Sequence, residues 1–121
     1  MIRSGGKDHG SASIWTLSAA TLVLAIGMTA TLAGVATIAR HQAQTAADFG
    51  ALAGASMAEL QPQGACAAAE HIVEANHAVM RGCSVDGFDV TVTAVVDVAG
   101  APAGVGPAVA VARAGPVGGP L

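Results

Sequence analysis

Apolar and polar positions alternate with a different rhythm in each of four stretches of the chain. From Ala12 to Ala39 there is no charge and no proline, and Arg40 and His41 close the run. A bilayer core asks for about 20 apolar residues of helix. The 28 residues of this run would rise through roughly 42 Å at helical pitch, enough to span even when tilted. The helical pattern continues past Arg40, because residues 40–61 are Ala-rich and the first breakers are Pro62 and Gly64. The expectation is one helix of about 49 residues, roughly 73 Å long, capped by Ser11 or Ser13. Its first half would sit in lipid and its second half in water. Residues 1–11, polar and Gly-containing, read as a short flexible leader on the cytoplasmic side.

Beyond Pro62 a second helix is predicted from Ala65 to Met80. Cys66, Ala69, Ile72, Val73, Val79 and Met80 gather on one side, with Glu70, Glu74, His77 and Arg81 on another, and Gly82 suits a C-cap. The period then drops to two. Phe88, Val90, Val92, Ala94, Val96 and Val98 alternate with Asp89, Thr91, Thr93, Val95 and Asp97, the pattern of a half-buried strand. Asp86-Gly87 is a tight-turn dipeptide that returns the chain from a short strand at Cys83–Val85. A Gly/Pro loop over 99–107 leads to a last strand, Ala108–Ala114. The fold class is therefore α+β and membrane-anchored: a long N-terminal transmembrane helix, a second helix, then a small antiparallel β-meander packed on helix. The divisions are a leader at 1–11, the transmembrane helix at 12–39, its helical extension at 40–61 and an exported domain at 62–121.

Of the 121 residues, only about 60 lie beyond Pro62, and a core that small is marginal without a staple. Cys66 and Cys83 are the only cysteines. A disulfide between them would contribute about 3 kcal/mol by the loop-closure estimate and would place the domain in an oxidising compartment. Two buried free thiols are the competing arrangement. Arg3 and Lys7 before the apolar run, against Arg40 after it, favour a cytoplasmic N-terminus and an extracytoplasmic C-terminal domain at the inner membrane. A cleaved signal peptide is the rival reading, but its apolar core is usually only 7 to 15 residues. From Arg40 onward three arginines face seven carboxylates, and the chain has no tyrosine. Neither a cationic surface to track a nucleic-acid backbone nor a platform to stack its bases is expected.

No catalytic, cofactor or metal site is expected. Glu70, Glu74 and His77 share a helical face at i, i+4 and i+7, but His71 and His77 are six apart and point in different directions. A solvated helix face is the simpler reading. Ser56, Ser84 and His77 lack an elbow or loop motif around them. The C-terminal glycines alternate with proline and are followed by neither a lysine nor a helix start. The pattern that carries a mechanism is the small-residue character of the long helix. Gly27 and Gly34 in the membrane half, and Gly50 and Gly54 after it, let another backbone approach, and Gly50 to Gly54 is a GxxxG spacing. An Ala/Gly-biased composition, with 16 glycines in the chain, is the bland alternative.

The stretch Gly10-Ser-Ala-Ser-Ile-Trp15 opening the helix, the Ala39-Arg-His-Gln-Ala-Gln-Thr-Ala-Ala-Asp-Phe-Gly-Ala-Leu-Ala-Gly-Ala55 segment after it, the Ala65-Cys66-Ala, Ala75-Asn76 and Cys83-Ser-Val-Asp-Gly-Phe-Asp-Val90 segments, and the closing Ala112-Arg-Ala-Gly-Pro-Val117 cover most of residues 10–117. In these the chain resembles the TadE-like and TadG-like proteins of Flp pilus assembly, in particular their actinobacterial branch. The resemblance implies a pilin-like membrane helix that serves as a filament stem. It also implies a role as minor pilin or assembly factor of a tight-adherence (Tad) type IV pilus or related secretion system. Its partners would be membrane lipid, other pilin-like or Tad assembly subunits through the long helix, and a prepilin peptidase. In that system the peptidase cuts after a glycine with a glutamate five residues on. Here Gly10 would be the cut residue, Ser11 the new terminus, and Trp15 stands at the glutamate position. The missing carboxylate favours an accessory role over that of a major pilin. The other reading kept open is a small secreted or membrane-anchored exported domain with an unknown binding, metal-binding or enzymatic role.

Overall fold

The computed structural model describes residues 6–101 and 104–117. The early leader, with Arg3, and the last four residues of the tail lie outside them. The element order is α1 (Gly6–Leu60), a 3-10 turn (Pro62–Gly64), α2 (Ala65–Ala75), β1 (Val79–Asp86), β2 (Asp89–Val96) and β3 (Ala108–Ala114). The architecture is α+β with a three-stranded antiparallel sheet in the order β1-β2-β3. The chain divides into two compact units, Met1–Gly34 and Val35–Leu121.

In the first unit, α1 is already helical at Gly6 and runs through Gly10 to Ser13, so neither Ser11 nor Ser13 caps its start. Over 10–34 every residue is exposed, including Ile14, Trp15, Leu17, Leu22, Leu24 and Met28. The hydroxyls of Thr16, Ser18, Thr21, Thr29 and Thr31 donate to carbonyls three or four residues back. Their polarity is thereby absorbed within the helix, which suits apolar surroundings. The helix is long and apolar enough to cross a membrane.

The second unit is a two-layer sandwich. The remaining turns of α1 and all of α2 lie on one face of the sheet, and every buried residue of α1 is alanine or glycine: Ala39, Ala43, Ala46, Ala47, Gly50, Ala51, Gly54 and Ala58. They meet Ala65, Ala69 and Val73 of α2 and the inward row Val90, Val92, Ala94 and Val96 of β2. β3 adds Ala108, Ala110 and Ala112. The largest fully buried side chains are valines 73, 90 and 92.

Where the second helix stops differs from the periodicity. It ends at Ala75, and Val79 and Met80 belong to β1, so Gly82 lies inside a strand and caps nothing. The stop is a Schellman turn built without glycine. The His77 N–H donates to Glu74 O, the Ala78 N–H to Val73 O, and His77 takes φ 59°, the left-handed conformation such a turn requires at that position. Asn76 Nδ2 adds a bond to Ile72 O at 2.8 Å. β1 is accordingly longer than the three residues expected. Phe88 falls in the hairpin loop rather than at the head of β2, with Gly87 at φ 64° as first loop residue and Asp86 paired to Asp89. β3 has the bounds expected of the last strand, Ala108–Ala114.

Candidate functional site

Cys66 on α2 and Cys83 on β1 are joined, Sγ to Sγ, with Cα atoms 5.9 Å apart. What aims Cys83 at α2 is a bulge. The β1–β2 register steps from Met80↔Ala94 to Gly82↔Thr93, leaving Arg81 as the additional residue. Side-chain direction alternates along a strand, so an extra residue reverses the alternation. Met80, Cys83 and Val85 consequently all pack against the core although the first two are an odd three positions apart.

The four glycines singled out as packing positions on the long helix, Gly27, Gly34, Gly50 and Gly54, divide two and two. A Cβ on Gly50 would stand 2.6 Å from Val73 Cγ2 and 3.3 Å from Ala69 O; one on Gly54 would stand 2.8 Å from Val90 Cγ1 and 3.2 Å from Ala65 O. This pair lets α2 and β2 of the same chain approach α1, so its GxxxG spacing is consumed within the unit. Gly27 and Gly34 meet nothing within 4 Å, and Gly27 opens a notch walled by Val23, Leu24, Met28 and Thr31. Away from the buried face, α1 exposes Ile38, Phe49, Leu52 and Leu60. At 100° per residue these share one stripe on the helix side remote from Ala43, Ala47 and Gly54.

The other candidates stand apart. Gly10 and Ser11 are consecutive residues within α1. Glu70, His71 and Glu74 are exposed on α2, whereas His77 lies past its end. Among the described residues no three His, Cys, Asp or Glu side chains come together as a metal-binding group. Ser56 spends its hydroxyl on Leu52 O at 3.0 Å, and Ser84 sits on the exposed side of β1. Asp89 and Arg113, cross-strand neighbours near one end of the sheet, form an ion pair. The hydrogen bond that Arg113 donates to Asp89, with the charges of Asp89 and Asp86, raises the Arg113 pKa above its ordinary range.

One assembly is not visible in the linear pattern. Gln42 Nε2 donates to Asn76 O and His77 O, 3.3 Å each, tying the α2–β1 turn to α1. Beside it opens a cavity of about 450 Å³ lined by Gln42, His77, Val79, Arg81, Val95, Val96 and Asp97. His77 is the only described non-glycine residue with positive φ, and strain of this kind costs of order 1 kcal/mol or more. Comparison with protein-family models, with curated proteins and with solved structures finds no match to this chain.

Proposed function

We propose that the chain is a non-enzymatic, single-pass membrane protein of the TadE-like kind, a minor pilin or assembly component of a Tad (Flp) type IV pilus or related secretion system. Its N-terminus lies in the cytoplasm and its α+β domain beyond the inner membrane. The observation that carries the reading is α1 itself. One uninterrupted helix is apolar and exposed over 10–34 and then, over 35–60, supplies one wall of a small disulfide-stapled domain. Helix with a docked α+β head is the build of a pilin-like subunit. The apolar stripe of Ile38, Phe49, Leu52 and Leu60, and the notch at Gly27, offer a neighbouring helix both knobs and a hole. In this reading Gly50 and Gly54 shape the subunit, and Gly27 and Gly34 face the partner.

The test combines topology with processing. In cells, the chain is expected to resist carbonate extraction, and externally added protease is expected to reach the domain but not the N-terminus. Mass spectrometry of the mature N-terminus separates an intact chain from one beginning at Ser11. Cross-linking between long helices is expected to weaken in Gly34→Leu and to persist in a variant altered only at Glu70. A soluble full-length chain, or cross-linking indifferent to Gly34→Leu, would overturn the reading.

A further inference from the structure

Read in rows across the strands, the sheet face turned away from the helices changes character from one end to the other. The first row is Val79, Val95 and Val109; the next is Gly82, Thr93 and Val111; then come Ser84, Thr91 and Arg113, and finally Asp86 and Asp89. Val79, Val109 and Val111 are 67%, 52% and 58% exposed, and Val95, between its two neighbours, is 6% exposed. Valines thus collect toward one end of this face and Asp86 and Asp89 lie at the other, while the exposed Asp97, two residues beyond Val95, borders the valine row.

The valine end is also the end at which α1 enters this unit, because Gln42 holds Asn76 and His77 two residues before Val79. Arg40 closes the charge-free run, and a charge there leaves the hydrocarbon. Gln42 follows two residues later, about 3 Å of helical rise, within a headgroup layer of roughly 5 to 7 Å on each side of the bilayer. In sequence, Trp15, a residue type that favours the interface, and Arg40 are 25 residues apart, about 37 Å of helix, which lies between the thickness of the core and that of the whole bilayer.

The charges fit the same placement. Among the described residues the only ion pair is Arg113–Asp89, at the opposite end. Arg40 and Arg81 are exposed at the valine end, along with His41, His77, Glu74 and Asp97. The bulge that turns Cys83 inward leaves Arg81 lining the cavity with Gln42 and His77.

We propose that this end of the domain rests on the phospholipid surface of the membrane crossed by α1, with Arg40 and Arg81 on lipid phosphates and Val79, Val95 and Val109 at the boundary of headgroups and acyl chains. The inference rests on the membrane-spanning reading above. It adds that the head is seated on the bilayer rather than held clear of it. Long cationic side chains reaching phosphates above an apolar row are the usual chemistry of interfacial binding.

The chain has a single tryptophan and no tyrosine, which gives a clean optical test on the full-length protein. A Trp15→Phe, Val79→Trp variant and a Trp15→Phe, Phe88→Trp variant are placed in vesicles of brominated-chain phosphatidylcholine mixed with phosphatidylglycerol. The reporter at position 79 is expected to shift to the blue and lose on the order of half its emission, as burial of 5 to 10 Å into the interface would produce. The reporter at position 88, in the hairpin loop, is expected to stay unquenched. Adding Arg81→Glu is expected to reduce the quenching at position 79. Quenching of Trp15 in the unaltered chain with none at position 79 would overturn this inference and leave the membrane reading standing, whereas an unquenched Trp15 would overturn the membrane reading first. A blue shift at position 79 that depends on protein concentration, without bromine quenching, would assign the valine row to a second copy of the chain and sink the proposal.

Discussion

Residues 10–34 and 35–60 belong to one helix, and both stretches are rich in apolar residues, yet they use opposite side chains for opposite ends. The first stretch turns Ile14, Leu17, Leu22, Leu24 and Met28 outward and covers none of them. A lipid bilayer would cover such a surface at no cost in unsatisfied backbone, since a helix pairs its own N–H and C=O groups. The second stretch buries nothing larger than a methyl group and exposes Phe49 and Leu52 instead. Small residues gain little from leaving water one at a time. They contribute by letting α2 and β2 come near enough for many short dispersion contacts, and the thin core they leave is why the disulfide matters. Apolar content and burial are thus separate properties of a helix, and residue size tells which partner it was shaped for.

The comparison can be broken most forcefully in its first half. Leu24→Arg combined with Met28→Arg is expected to cost about 3 kcal/mol per arginine in membrane insertion. The chain would leave the membrane fraction while the melting of the second unit stayed where it was; full retention in the membrane would contradict the assignment. In the second half, Gly50→Leu is expected to destabilise the α+β unit by about 3 kcal/mol or more through overpacking, because even a Cβ there meets Val73 Cγ2 at 2.6 Å. Gly27→Leu should leave the same melting curve unmoved, and equal effects at the two glycines would erase the distinction between the halves.

Replacing both Cys66 and Cys83 by alanine is expected to lower unfolding stability by about 3 kcal/mol, given the 17-residue separation they close, with no change in membrane retention. Denaturant titration of the double variant against the parent, both in detergent, measures it. The smallest effect has the opposite sign. His77→Gly relieves a left-handed residue and is expected to raise stability by up to about 1 kcal/mol; a loss instead would mean that the His77 side chain holds the turn through contacts worth more than its strain.

Much of this architecture is legible in the residues because single strong signals carry it. The uncharged run, Pro62 as a stop, the Asp86-Gly87 turn and the Gly/Pro loop before β3 each depend on neighbours in sequence. The boundary between α2 and β1 was hidden for a reason that can be named. Ile72, Val73, Val79 and Met80 keep a helical spacing of seven, while pairing with Ala94 and Val95 of β2 claims the last two for the sheet, and tertiary pairing overrides a local period. The true stop, Asn76-His77, lacks the glycine that normally marks it. The two roles of the glycines were equally hidden, since Ala and Gly occur on every side of α1 and only the packed unit shows which side faces inward. The cavity beside Gln42 joins residues more than 30 apart along the chain, a proximity that no linear pattern encodes.

The bulge at Arg81 works as a half-step in the weave of β1. If β1 ran straight through Arg81, each residue taking the next partner in turn, Cys83 would fall opposite Thr91 instead of Val92, and one sulfur would look toward the helix and the other away from it. Two stranded thiols would then be available to neighbouring molecules, and a bond that closes the head on itself would become one that ties separate chains together.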